Sequence, residues 1–400
     1  MKSSRVIHRM RTGLDAVEES QTYRSARRAM KGLKWLAIGG ATAGITAGVA
    51  AGLGVGLAGY AIARKLRSAV ELNGKVVLIT GSSRGLGLAM AYEFAGAGCK
   101  LVLCARDERE LQIATEDLAR AGATVLAIPC DLGDREQVER MVQQATARFG
   151  QIDVLVNNAG IITVGPLESQ TLDDFEDAMR VMFWGTVYPT LSVLPQMIAR
   201  RSGSIANVTS IGGKVSVPHL LPYNCAKFAS VGFSEGLRAE LARFSVKVTT
   251  VVPGLMRTGS HVNAYFKGNN QAEYGWFSLG ATLPLISIDA RRAARKILNA
   301  VRHGTSEIIL TPQARLAATI HGVAPGLTAD ALGLVNRLLP AGAGDRQRHL
   351  GKESENAVSR SFLTKLGRAA ARELNQTPEQ RTDLQSRGVG LEPQTKPAFG

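Results

Sequence analysis

From residue 75 to about residue 310 the chain alternates short apolar runs with longer stretches of helical period. The runs at 75–80 (KVVLIT), 100–104, 123–128, 152–156, 205–208, 246–251 and 307–310 are rich in Val, Ile and Leu. They are short, and most lack a clean polar alternation, so they read as strands buried on both faces. Helical period covers 86–97, 107–122, 134–149, 172–198 with a break near Pro195, 222–243 and 289–303. Strands and helices in regular succession predict an α/β fold with a doubly wound parallel sheet. The stretch 252–288 is irregular, and no internal repeat appears.

The two ends differ from this middle. Residues 35–63 (WLAIGGATAGITAGVAAGLGVGLAGYAIA) contain no charge. They are long enough for a bilayer-spanning helix, which needs about 20 residues, and they begin too late in the chain for a secretory signal. Glycines at 40, 44, 48, 52 and 56 form a small-residue ridge of the kind that lets two membrane helices approach closely. The leader 1–34 is basic, and Arg64, Lys65 and Arg67 follow the run. The formal net charge is +15, and residues 1–70 hold 12 Lys and Arg against 3 acids. A basic surplus around one apolar stretch points to anionic lipid headgroups. No nucleic-acid module accompanies it. The expectation is a membrane-associated protein with its catalytic domain on the cytoplasmic side, where soluble nucleotides are available. At the other end, 313–340 reads as a helical extension. Residues 341–400 are polar and read as a mostly disordered tail, with one helical stretch at 356–374. Cys99, Cys104, Cys130 and Cys225 lack metal-ligand spacing and read as small packing residues in a reducing compartment.

Chemistry enters right after the first strand. Gly81-Ser82-Ser83-Arg84-Gly85-Leu86-Gly87 joins that strand to a helix. Glycines there permit a tight turn, and the helix start offers free N–H groups to a dinucleotide pyrophosphate. The second strand ends in Cys104-Ala105-Arg106-Asp107. Arg106 and Arg84 place two guanidinium groups where a 2′-phosphate is expected, which favours NADP(H). Asp107 would instead favour NAD. Further along, Ser210 precedes Tyr223 by thirteen residues, and Lys227 follows the tyrosine by four. A tyrosine of ordinary pKa near 10 needs help to exchange protons at neutral pH. A lysine ammonium one helical turn away is expected to lower that value.

Taken in order, the glycine loop, Asp131, Asn157-Asn158-Ala159-Gly160, Ser210, Tyr223-x-x-x-Lys227 and Pro253-Gly254 resemble the short-chain dehydrogenase/reductase family over about residues 73–312. The resemblance implies a Rossmann-type domain that interconverts a carbonyl and an alcohol with a nicotinamide cofactor. It implies Tyr223 as general acid and base, Ser210 as the group that holds the carbonyl oxygen, and Lys227 on the nicotinamide ribose. It further implies Gly81, Ser83, Arg84, Gly85, Leu86, Gly87 and Arg106 around the phosphates, and Asp131 and Leu132 at the adenine. Asn158 and Gly160 would line the adenosine side, and Pro253, Gly254 and Thr258 the carboxamide edge. No metal is implied.

One departure stands out. Many members of the family carry an asparagine in the long helix to hold a relay water, and here that position is Met182. A thioether cannot supply the amide's hydrogen bonds. A backbone carbonyl at the same place can still hold the water, so the departure bears on the relay more than on activity. Met182 leaves one alternative, a nucleotide-binding, membrane-tethered scaffold with little turnover; a second, against which Arg84 and Arg106 speak, is an NAD-dependent alcohol dehydrogenase. Residues 255–288 are aromatic at Tyr265, Phe266, Tyr274, Trp276 and Phe277, which predicts a lipophilic carbonyl or alcohol substrate. His219 and His261 fall on the same side and read as structural or exposed. The resemblance also implies a homodimer or homotetramer built on the helices at 172–198 and 222–243.

Overall fold

The computed structural model describes residues 69–377 apart from 285, 343, 362 and 363. The apolar run 35–63, its basic leader and the chain beyond 377 lie outside the described residues. Among the described residues, no helix is long and apolar enough to cross a membrane.

All seven apolar runs form strands of one parallel sheet. β1 (Val76–Thr80), β2 (Lys100–Ala105), β3 (Val125–Pro129), β4 (Val154–Asn157), β6 (Gly203–Val208), β7 (Val246–Val252) and β11 (Glu307–Ile309) lie in the order β11-β7-β6-β4-β1-β2-β3. β1 pairs with β2 from Val76↔Lys100 to Thr80↔Cys104, and with β4 at Val77↔Val154 through Ile79↔Val156. The order reverses at β1, so a crevice opens at the carboxyl ends of β1 and β4, where ligands bind in such sheets.

β1 is buried throughout and feeds two cores. Val77 and Ile79 join Leu88, Met90 and Phe94 of α1 (Gly85–Gly96) on one face. Val76 and Leu78 join Val138, Met141 and Val142 of α3 (Arg135–Phe149) on the other. This is the period-two alternation of a strand between two helical layers. Each buried Val or Leu contributes about 1.5–3 kcal/mol. α8 (Ala290–His303) packs beside α1, and α2 (Glu108–Arg120) covers the β2–β3 edge. Asp107 caps α2 by accepting from the Glu110 N–H at 2.8 Å, a structural use for the acid that could have been read as an NAD signal.

Two parts of the helical reading change. The long helix does not break at Pro195. α4 (Leu172–Ala178) passes into a π-helical turn at Met179–Trp184 and continues as α5 (Gly185–Ala199), through both Pro189 and Pro195. π turns are uncommon and often stand at functional sites, and this one carries Met182. The irregular stretch also has structure. β8 (Leu255–Arg257) pairs in parallel with β10 (Ser287–Asp289). A lid forms from β5 (Thr163–Val164), β9 (Tyr265–Phe266) and α7 (Asn270–Thr282). The sequence hides α7 because its glycines and aromatics mimic a loop.

The C-terminal part takes a defined course as far as residue 377. α9 (Pro312–Val323) and α10 (Pro325–Asn336) form an exposed hairpin after β11. β12 (His349–Leu350) then pairs antiparallel with β9. The short helix α11 (Ala357–Arg360) and α12 (Lys365–Glu373) follow. The sequence predicts a mostly disordered tail here with one helical stretch at 356–374, and α11 and α12 fall within that stretch. Ion pairs hold its start, where Arg348 bonds Asp174 at 2.7 Å and Asp177 at 2.6 Å beside the fully buried pair Lys267–Asp174 at 2.6 Å, and Ala371 and Leu374 are buried at its end.

Candidate active site

The glycine loop leaves β1 and starts α1 without a side-chain cap, with Arg84 at the cap position in extended backbone. Gly81 and Gly85 have φ of +61° and +59°, where side chains are strained. A Cβ on Gly81 would lie 2.8 Å from the Ala159 backbone, and one on Gly87 would strike the Gly81 carbonyl. The loop is therefore as tight as glycine allows. Asn158 fixes it: its side chain donates to the Thr80 and Gly81 carbonyls, both at 3.0 Å. Asn158 thus braces the loop as well as bordering the crevice. Asn157 bonds Thr190 and Asn207, each at 2.9 Å, and is structural. The Leu86 and Gly87 N–H groups bond no backbone carbonyl among the described residues. Tight glycines, free N–H groups and the positive helix end together fit a dinucleotide pyrophosphate.

The two arginines expected near a 2′-phosphate stand differently. Arg84 Nη1 meets Glu110 at 2.7 Å, and Ser83 Oγ donates to the same carboxylate at 3.1 Å. Arg106 is exposed and makes no ion pair among the described residues. Asp131 spends both oxygens inside the chain, on the Gly133 N–H and on Arg180, each at 3.0 Å. Leu132 is buried beside it. Thr258 is buried, and its Oγ1 accepts from the Ser260 N–H at 3.3 Å. The Pro253 carbonyl accepts from the Ile211 N–H at 2.7 Å, which ties the carboxamide edge to the Ser210 loop. Gly254 packs against Thr311 and Ala314.

The residues expected to transfer the proton come together on α6 (Leu221–Leu241) and just after β6. Ser210 accepts from the Gly212 N–H at 3.0 Å and hydrogen-bonds Tyr223. Lys227 Nζ lies 5.8 Å from the Tyr223 ring centre and donates to the Val208 carbonyl at 2.9 Å. A Cβ on Gly160 would stand 3.8 Å from that ammonium, so the Asn-Asn-Ala-Gly turn and Lys227 share one space. Cys225 is exposed, contrary to the expected packing role, because it lies on the helix face opposite the 223/227 pair.

The expected pKa lowering of the tyrosine is not what this arrangement produces. Burial pushes the Tyr223 phenol up, and the Ser210 hydrogen bond offsets only part of that. Burial also pushes Lys227 down, to about 8. Removal from water disfavours the charged form of both groups, and that effect exceeds their mutual attraction.

An apolar side chain occupies the position where the family's asparagine is expected. Met182 is buried with Ala178 and Ala226, and Tyr223 packs on this cluster. Its sulfur would be 3.6 Å from a Cβ on Gly160. Its carbonyl already accepts from Thr186 Oγ1 at 2.8 Å and from Ser230 Oγ at 3.3 Å. On the lid side, Phe266, Tyr274 and Phe277 are buried and form the lid's own core with Val164 and Leu220. Ile162, Val217, Tyr223 and Trp276 pack half-buried against this core. His219 (φ +62°) bonds Glu273 at 2.8 Å, and Glu273 also accepts from Trp276 at 2.7 Å. His261 is buried, and burial holds its pKa down at about 4. Both histidines are structural parts of the lid.

Three residues at this site carried no signal in the sequence: Leu374, Asn375 and Gln376. They close on the glycine loop from the C-terminal end, where the Gly85 N–H donates to the Leu374 carbonyl at 2.9 Å.

Known proteins resemble this chain in the same region. The sequence pattern of the short chain dehydrogenases matches residues 75–266. A dehydrogenase/reductase SDR family protein 7-like from Anopheles gambiae is 38% identical over 263 residues, which cover 64% of this chain and 80% of the relative. A short-chain dehydrogenase/reductase from Burkholderia phymatum, solved with NAD, superposes with a TM-score of 0.59 at 26% identity, over 64% of this chain and 96% of that one. An actinorhodin polyketide ketoreductase solved with NADPH gives 0.52 at 26% identity, over 59% and 95%. The match spans most of the sheet and the crevice between β1 and β4, and the chain belongs to the short-chain dehydrogenase/reductase family of oxidoreductases.

Proposed function

We propose that this protein is an NADP(H)-dependent oxidoreductase that interconverts a carbonyl and an alcohol on a lipophilic molecule. The convergence of Ser210, Tyr223 and Lys227 beside Gly160 and the glycine loop carries this reading. The nicotinamide, when bound, supplies or accepts the hydride. The Tyr223 hydroxyl donates a proton to the substrate oxygen in reduction and accepts it in oxidation. Its raised pKa keeps it protonated, which suits the reductive direction. Ser210 positions the oxygen by hydrogen bonding. Lys227 stays cationic below about pH 8, and its charge favours the phenolate left after transfer. With Met182 filling the relay position, proton return to Tyr223 runs through Ser210, Lys227 or the substrate opening rather than through a side-chain amide.

NADP(H) is supported by Arg106, the guanidinium left free near the expected 2′-phosphate. Glu110 favours a second reading, because a carboxylate bonded to Ser83 and Arg84 stands near the adenosine ribose and would favour NAD. Titration of NADPH and NADH against the wild type and Arg106→Ala separates the two. Tight NADPH binding that weakens about tenfold in the variant, as loss of one charge-assisted hydrogen bond implies, supports the first reading. Equal binding of both nucleotides supports the second.

The substrate class is supported by the half-buried Ile162, Val217 and Trp276, which pack with Tyr223 against the apolar core of the lid. The uncharged run 35–63 with its basic flanks supports association with a membrane, with the catalytic domain on the cytoplasmic side. Exposed Trp184, Leu191 and Phe228 on the π turn, α5 and α6 support pairing of these helices in a homodimer or homotetramer.

A further inference from the structure

The end of α12 is built to stop on the cofactor loop. Leu374 is buried in the same core as α1 and α8. Asn375 takes a left-handed backbone, φ +57°, and is fully buried. Asparagine tolerates that conformation better than most residues. The reversal turns its side chain inward, where Nδ2 donates to the Ser83 carbonyl at 3.0 Å and the Glu110 carbonyl at 3.2 Å. Asn375 Oδ1 is buried with no hydrogen-bond partner among the described residues. Leu374 takes the first N–H of α1, that of Gly85. Gln376 goes furthest. Its Nε2 lies 2.7 Å from where a Gly85 Cβ would be, and Thr258 Cβ lies 3.9 Å from the same point. From the other side of the crevice, Asn263 donates to the Gln376 carbonyl at 2.9 Å and to its Oε1 at 2.8 Å. Residues 374–376 thus tie the glycine loop to the segment after β8, across the place where a pyrophosphate meets the free N–H groups of Leu86 and Gly87.

We propose that Leu374–Gln376 is an additional part of the dinucleotide site, a latch over the pyrophosphate that must lift for the nucleotide to enter or leave. The proposal rests on the dinucleotide reading above. Its hold is mostly polar. Leu374 is the single apolar anchor of the three, and α12 is fastened by the Arg291–Glu373 ion pair and by the close approach of Ala371 to Gly259. Such a segment can open while the sheet core stays folded. The Gln376 amide N–H, which lies against Gly85, would face the nucleotide when the latch is shut.

The test uses the full chain and NADPH, with association and dissociation followed by nicotinamide fluorescence in a stopped-flow instrument. Asn375→Gly keeps the left-handed backbone but removes two hydrogen bonds to the loop. Gln376→Ala removes the side-chain bridge to Asn263. Both rate constants should rise about tenfold in Asn375→Gly, as the loss of two hydrogen bonds implies, while the dissociation constant moves much less. Gln376→Ala should move the same way by a smaller factor. Hydrogen exchange in the peptide over 371–376 should slow when NADPH saturates the wild type. If the variants bind NADPH with unchanged association rates, or if exchange at 371–376 ignores the nucleotide, the latch is refuted while the cofactor reading stands. Faster dissociation alone makes these residues a wall and not a latch, which also refutes it. Failure of the wild type to bind either NADPH or NADH overturns the cofactor reading and the latch with it.

Discussion

The sheet domain and the C-terminal extension are held together by different forces. In the sheet, β1 sends alternate apolar side chains into two cores, and α1, α3 and α8 cover them. In the extension, α10 buries no residue, and the hairpin exposes Leu316, Val323, Leu327 and Leu338. The remainder is fixed mainly by polar contacts: Arg348 on Asp174 and Asp177, Asp174 on the buried Lys267, and the neutral amide pair Asn263 and Gln376, with Leu374 as an apolar anchor in the sheet core. Apolar burial spreads stability over many contacts, so a single surface change matters little. Polar fastening concentrates it in a few bonds, each of which matters. The comparison teaches that the proposed catalytic residues sit where apolar burial dominates, whereas the proposed latch hangs on a few polar bonds.

The largest expected effect tests the rigid part. Tyr223→Phe should lower turnover by about a thousandfold, the scale of a lost general acid, while NADPH binding and the melting temperature stay near wild type. In the wild type, reductive turnover should fall as pH rises through about 8, because Lys227 then loses its proton. A variant that keeps more than a tenth of its activity would place proton transfer elsewhere.

The next effect tests the ionic fastening. Asp174→Asn leaves Lys267 buried opposite a neutral group and should lower stability by about 3 kcal/mol in denaturant unfolding. Burial by itself would raise the Asp174 carboxyl, but hydrogen bonds from Lys267, the Thr171 backbone and Arg348 outweigh it and hold the pKa low. A depressed folded-state pKa stabilises above the ordinary carboxylate value of 3.8 and loses that contribution as pH falls through the depressed value. The wild type should therefore lose stability on acidification, and the asparagine variant should lack that component. Equal acid sensitivity in both would show that the cluster does not hold the extension.

The smallest effect belongs to the hairpin. Val323 is 82% exposed, so Val323→Ser should change stability by less than about 0.5 kcal/mol. A loss several times larger would mean that an assembly covers this surface and that the exposed-hairpin half of the comparison is wrong.

Much of the sheet domain was legible in the chain. Each of the seven strands is a local apolar run, and the Gly-x-x-x-Gly-x-Gly loop and the Tyr-x-x-x-Lys pair are local spacings. The tail was not legible. Arg348 reaches Asp174 across 174 residues, and Asn375 reaches Ser83 across 292, so no spacing within the tail announces either contact. Helix α7 was missed because Gly275, Trp276 and Gly280 look like loop composition. Its fold is decided by Tyr274 and Phe277 packing on Phe266.

By itself the sequence determined the order of strands and helices, the glycine loop, and the serine, tyrosine and lysine that define the family. These rest on periodicity and on residues close in the chain, where backbone geometry alone sets which side chains share a face. The tertiary structure alone decided the electrostatics. Burial raises the tyrosine's pKa, and Glu110 occupies Arg84 while Arg106 has no ion pair among the described residues. It also decided that the far end of the chain returns to the cofactor loop. Desolvation and long-range pairing depend on what surrounds a group in space, and a linear pattern of residue types does not contain that information.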